Sequence, residues 1–162
     1  MMTRTLSLVT GIALWCLAGV AMAQVPQYGA NVNAEQARKG LAAALAEARK
    51  LNIPMAVAVV DTAGQLVAFE RLDNTQIGSI AVAQDKAVSA ALYRRPTKAF
   101  QDVLAGGGAG LRVLTLRNAN AVEGGVPMVV DGKIIGAVGV SGGSAEQDGV
   151  VAKAGTDAVS AK

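Results

Sequence analysis

Histidine is absent from the 162 residues. That removes the side chain that titrates near neutral pH and the commonest metal ligand. Any chemistry must therefore come from Asp, Glu, Lys, Arg, Tyr, Ser, Thr, Met and the backbone. Cysteine and tryptophan occur once each, as Cys16 and Trp15, in a segment read below as removable. A domain without cysteine has no disulfide framework, so packing alone must hold it. Aromatics are 3% of the chain and the net charge is only +3. With no basic cluster beyond Arg94-Arg95, the chain offers neither a phosphate-tracking face nor a base-stacking platform, which argues against nucleic acid as a partner.

The first 23 residues have the layout of a signal peptide. Arg4 supplies the positive n-region, residues 6–20 are an apolar run, and Ala21-Met22-Ala23 is a small-x-small cleavage site. The run is too short for a confident membrane span, which needs about 20 apolar residues. The expectation is export to the periplasm or outside, cleavage near Ala23 and no stable membrane anchor. Removing 23 of 162 residues leaves 139, with 14 basic and 12 acidic side chains. That length suits one domain with one core.

Residues 24–32 read as a flexible leader and 33–162 as the domain. Asn33 with Gln36 forms a capping box ahead of an amphipathic helix over 34–51, broken by Asn52-Ile53-Pro54. Residues 55–60 form a Val-rich apolar run, a central strand, and Asp61-Thr62-Ala63-Gly64 turns the chain into a second strand over 65–71. Helical spacing returns over 79–93 and ends before Pro96, since the residue preceding proline resists the helical region. Thr97 then caps a short helix over 98–104. Residues 105–110, AGGGAG, read as a loop, and 111–121 as one strand with irregular flanks.

Apolar runs 126–130 and 134–140 flank Asp131-Gly132, the strongest short-range hairpin signal. Ser144 and Gln147 make a weak capping box for a last helix over 145–162. Hairpin connections dominate, so the chain reads as α+β, with helices covering a mainly antiparallel sheet of about five strands.

Candidate chemistry is sparse. Gly139-Val140-Ser141-Gly142-Gly143 matches the nucleophile-elbow pattern, but no histidine exists to take the serine proton, so Ser141 reads as a turn residue. Glu70 with Asp73, and Glu146 with Asp148, read as solvent-exposed pairs. On the 79–93 helix, Lys86, Ala90, Tyr93, Arg94 and Thr97 fall on one side. That face could carry a flat ligand on small residues with cations for carboxylates. A solvated helix face is the plainer alternative.

The segments DKAVSAALYRRPTKAF and GGVPMVVDGKIIGAVGVSGGSAEQDGVVAKAG resemble the GlcG/HbpS-like haem-binding family, whose module also forms the C-terminal domain of PduO-type cobalamin adenosyltransferases. The resemblance covers nearly all of the chain after the signal segment. It implies a profilin-like, three-layer α/β/α fold with a five-stranded, mainly antiparallel sheet, and assembly into homo-oligomers. It also implies haem or a related tetrapyrrole as ligand and cofactor. Within it Lys86 occupies the Lys-Ala position and Thr97 the Pro-Thr position, with Tyr93 and Met128 as nearby oxygen and sulfur donors. Tyr and Met are known axial haem ligands. Without imidazole, a haem site depends on face packing and on propionate contacts with Arg94, Arg95 or Lys86. The alternatives are an enzyme acting on a small organic acid, held by Lys86 and Arg94 with Tyr93 or Asp85 moving a proton, and a non-catalytic accessory subunit.

Overall fold

The computed structural model describes residues 25–160, so the expected signal segment lies outside the described residues. The elements are β1 (Gln27–Tyr28), α1 (Ala34–Lys50), β2 (Ala56–Asp61), β3 (Leu66–Arg71), α2 (Ser79–Tyr93), α3 (Lys98–Ala105), a 3₁₀ segment (Gly108–Thr115), β4 (Gly125–Val130), β5 (Lys133–Ser141) and α4 (Ala145–Ser160). Among the described residues, no helix is long and apolar enough to cross a membrane.

The sheet has five strands, with β5 at its centre. β5 pairs antiparallel with β4 along one edge and with β2 along the other, and β3 pairs antiparallel with β2. β1 adds the one parallel pairing, Gln27 to Lys133 and Tyr28 to Ile134. The sheet is therefore mixed, although mostly antiparallel. Helices cover both faces, giving the three layers expected. β2 is buried on both sides, and its two faces differ in size. Val57 and Val59 pack with α1 and α4, while Ala56 and Ala58 face α2.

The small face decides how close α2 can come. Ala83, Ala87, Ala90 and Ala91 of α2 lie over Ala56, Ala58 and Ala137. A Cβ at Gly139 would sit 2.1 Å from the Ala83 carbonyl oxygen and 2.4 Å from the Ala87 nitrogen. Side-chain-free backbone on β5 thus lets α2 rest directly on the sheet. On the opposite face α1 and α4 cross backbone to backbone, with a Gly155 Cβ position 2.9 Å from the Gly40 oxygen.

Local signals produced the boundaries they should. The Asn33–Gln36 capping box forms with both reciprocal bonds, at 2.9 and 3.1 Å. Asp131 and Gly132 both have positive φ, 50° and 73°, as the tight turn demands. Ser144 and Gln147 exchange side chain–backbone bonds ahead of α4.

Two segments differ from the sequence reading. Residues 111–121 are not a strand: 108–115 coil into the 3₁₀ segment, and the fifth strand is β1. The leader is also not free from Gln27 onward. Gly29 and Val32 donate to the Ile134 and Ile135 carbonyls, each at 2.7 Å, and Val32 joins the core. Tyr28 supplies the other anchor, its hydroxyl donating to the last carbonyls of α2 at Ala91 (2.9 Å) and Leu92 (3.0 Å).

Candidate functional site

The residues singled out on α2 and beyond do not form one surface. Lys86 points inward from α2 and is 1% exposed. Its Nζ lies 2.7 Å from Asp148 Oδ2 in the first turn of α4, and Asp148 Oδ1 accepts from the Gly143 amide at 2.9 Å. The pair passes the sheet at Gly124, where a Cβ would lie 2.9 Å from the lysine nitrogen and 2.8 Å from Asp148 Cβ. Burial pushes the Asp148 carboxyl above its ordinary range, and Lys86 with the Gly143 and Gly142 amides pulls it part of the way back. Asp148 is thus no solvent-exposed partner of Glu146. It ties α4 to α2 through the gap beside β5.

Thr97 is also occupied. Its Oγ1 accepts from the Gly125 amide and its own amide donates to the Gly125 carbonyl, both at 2.9 Å. It therefore extends the edge of β4 rather than capping α3 with its side chain. Met128 is fully buried on the α1/α4 side, with α2 on the other face of the sheet, so its sulfur cannot serve a ligand lying on α2. Arg94 ends α2 in the left-handed conformation (φ 54°, ψ 37°), its guanidinium stacked 5.5 Å from the Tyr28 ring centroid. Ser141 donates to Ser79 at 3.0 Å in a buried hydroxyl pair, without a base. Lys86, Thr97 and Met128 thus each make contacts inside the fold, and Arg94 stacks on Tyr28 of the leader.

Tyr93 leads to a different place. Its hydroxyl donates to the Arg117 carbonyl at 2.6 Å, and its ring meets Phe100 edge to face at 5.0 Å. The Arg95 guanidinium lies over the same Phe100 ring at 5.7 Å. Beside this stack, α3 and the 3₁₀ segment enclose a cleft of about 350 Å³, walled by Phe100, Val103, Val113 and Leu116 with Arg95 and Arg112 at its margins. Among the described residues neither arginine is paired with a carboxylate. Leu111 and Leu114, 53% and 69% exposed, continue the apolar surface outward along the same segment. Phe100 itself is buried under Tyr93 and Arg95, so the arrangement can hold an apolar body against the exposed Val103 and Leu116 and anionic groups on two guanidiniums.

A strand over 111–121 would send alternate side chains to opposite faces and so hides Arg112, while Phe100 sits on the helix expected over 98–104 without a visible partner. The available signal was the Ala99, Phe100, Val103 spacing on α3, an apolar stripe that needs a partner close in sequence.

Fold and cleft together define a three-layer domain with an Ala- and Gly-rich interior seam and a small-ligand-sized cleft beside α3. The chain belongs to the HbpS-like family: the model of the family described as "Haem degrading protein HbpS-like" matches residues 32–157. Protein GlcG of Escherichia coli K12 is 43% identical over 101 residues, 62% of this chain and 74% of GlcG. The crystal structure of Klebsiella pneumoniae protein ORFY superposes with a TM-score of 0.75 at 28% identity, covering 88% of this chain and 99% of ORFY. A crystal structure of a PduOC–haem complex superposes at 0.71 and 28% identity, covering 79% of this chain and 94% of that one.

Proposed function

We propose that this protein binds haem or a related tetrapyrrole in the cleft between α3 and the 3₁₀ segment. The observation that carries this reading is the pairing of an apolar wall, Val103 and Leu116, with two guanidiniums free of carboxylates, Arg95 and Arg112. Such a cleft matches the two chemistries of the ligand, an apolar ring face and anionic propionates. A family described by haem degradation and a structural neighbour solved with haem support the ligand class. At about 350 Å³ the cleft is near the small end for ligand sites. It would cover one part of the macrocycle, and the exposed Leu111 and Leu114 would extend the contact.

No imidazole, thiol, thioether or phenol lines that cleft. Face packing and propionate pairing, rather than strong axial ligation, would hold the ligand, whose iron supplies redox chemistry when bound. Lys86, spent on Asp148, and Arg94, stacked on Tyr28, give little support to an organic-acid site on α2. We further propose export with cleavage near Ala23, and self-association through exposed apolar residues.

Haemin titration followed at the Soret band tests the reading. Saturable binding is expected, weakened about a hundredfold by Arg95→Ala with Arg112→Ala, the loss of two charged hydrogen bonds at about 1.5 kcal/mol each. A double variant that binds haemin as the parent does would overturn the assignment of this cleft. N-terminal sequencing of exported protein that returned Met1 would refute the cleavage.

A further inference from the structure

A second cleft, of about 430 Å³, opens between the outer side of β4 and α4 and shares no residue with the α3–3₁₀ cleft. Its floor is carbon, from Val126, Pro127 and Val129, each half-buried. Most of its polar side chains are satisfied within the chain. Lys98 Nζ holds both oxygens of Asp102, at 2.7 and 2.8 Å, and Lys153 pairs with Asp157. The Thr156 hydroxyl donates to the Lys153 carbonyl and the Ser160 hydroxyl to the Val129 carbonyl.

Glu123 is the exception. Its amide is bonded to Gln101 Oε1 at 2.8 Å, yet among the described residues no donor is bonded to its carboxylate. The carboxylate nevertheless has a built position. It lies against the backbone of α4 at Gly149, where a Cβ would come within 2.4 Å of Oε1. The Lys98 ammonium, held by Asp102, reaches Glu123 only through space, so this half-buried carboxylate beside an apolar floor lacks a bonded donor that a ligand can bring.

We propose that this cleft binds a cationic amphiphile, a primary aliphatic amine whose ammonium donates to Glu123 while its chain lies on Val126, Pro127 and Val129. An anionic ligand would meet an acceptor-only carboxylate while Lys98 and Lys153 are already held by aspartates, so the cleft discriminates by sign of charge.

Calorimetric titration of the purified protein with hexylamine, hexanol and hexanoate reads this directly. Hexylamine alone is expected to give saturable heat. Glu123→Gln, which keeps the shape resting on Gly149, is expected to weaken it about tenfold or more. The melting temperature of that variant should match the parent, because the side chain is only half-buried. Gly149→Ala, which displaces the carboxylate, should weaken the amine as well. Hexanoate binding as tightly as hexylamine, no saturable heat with the amine, or an unchanged affinity in Glu123→Gln each overturns the proposal. The tetrapyrrole reading stands apart: haemin binding is expected to be the same in Glu123→Gln, so failure of either assignment leaves the other intact.

Discussion

Replacing Lys86 by Met should cost this fold more stability than any other removal of a single charge. Both members of the Lys86–Asp148 pair are desolvated, with side chains 1% and 4% exposed and a 2.7 Å contact. The small values typical of surface ion pairs therefore do not apply. Met fills nearly the same volume, so little cavity term enters. What remains is a buried carboxylate without its counter-charge, which costs about 3–5 kcal/mol. For a domain of this size that lowers Tm by roughly 10 °C. Asp148→Asn should cost much less, because it strands the ammonium but also removes a carboxyl whose burial already opposes ionisation. The double variant Lys86→Met with Asp148→Asn should be more stable than either single one, because Asn keeps an acceptor for the Gly143 amide and no charge is left buried. Urea unfolding of the four proteins forms the cycle. A loss under about 1 kcal/mol in both single variants, or a double variant no better than the worse single one, refutes the argument that desolvation governs this contact.

Gly139→Ala should destabilise by about 3 kcal/mol or more, since the new methyl meets the α2 backbone rather than a movable side chain. Thermal unfolding measures it, and a neutral result would mean that α2 does not rest on β5. Tyr28→Phe removes the hydroxyl that anchors the leader to α2; it should cost about 1 kcal/mol and speed amide exchange at Gly29, whose bond to Ile134 it supports. The raised Asp148 pKa gives a pH dependence of definite sign. The folded state binds this proton more tightly than the unfolded state. The stability of the parent relative to Asp148→Asn should therefore be highest below the ordinary carboxylate range and fall as pH rises through the folded pKa. A difference that rises with pH over that interval would contradict the burial argument.

What the sequence disclosed divides along a physical line. Features determined within a few residues were legible: the Asn33–Gln36 cap, the Asp131-Gly132 turn, the end of α2 ahead of Pro96, and β2 as a strand apolar on both sides. Features that need a distant partner were not. Nothing in Gln27-Tyr28 announces a parallel strand, because two residues carry no period and their partner lies more than a hundred positions away. Residues 111–116, LRVLTL, alternate well enough to pass for a strand, and only docking on α3 tells that they coil. Lys86 was noticed for its charge, but on a helix a buried and a solvated lysine look alike in sequence. Asp148 had no local mark either, since its burial depends on Gly124 leaving room across the sheet.

The glycines of the β4–β5 hairpin show why the family is easier to recognise than the ligand. Gly124 leaves space for the Lys86 ammonium, Gly139 admits the backbone of α2, and Gly142, at φ 153°, lies where a Cβ would strike the Pro54 carbonyl at 2.4 Å. Each is committed to closing the fold, and so are the hydroxyls of Ser141 and Thr97. A segment whose donors, acceptors and spaces are all used internally has nothing left with which to discriminate among ligands. Recognition must fall to charged groups that the described residues leave without an opposite charge bonded to them: Arg95 and Arg112 beside Phe100, and Glu123 beside Val126. These lie on α3, on the 3₁₀ segment and on the approach to β4. Substitutions there can change what is bound without touching the core. Changes at Gly124, Gly139 and Gly142 should act on stability first and on binding only through it.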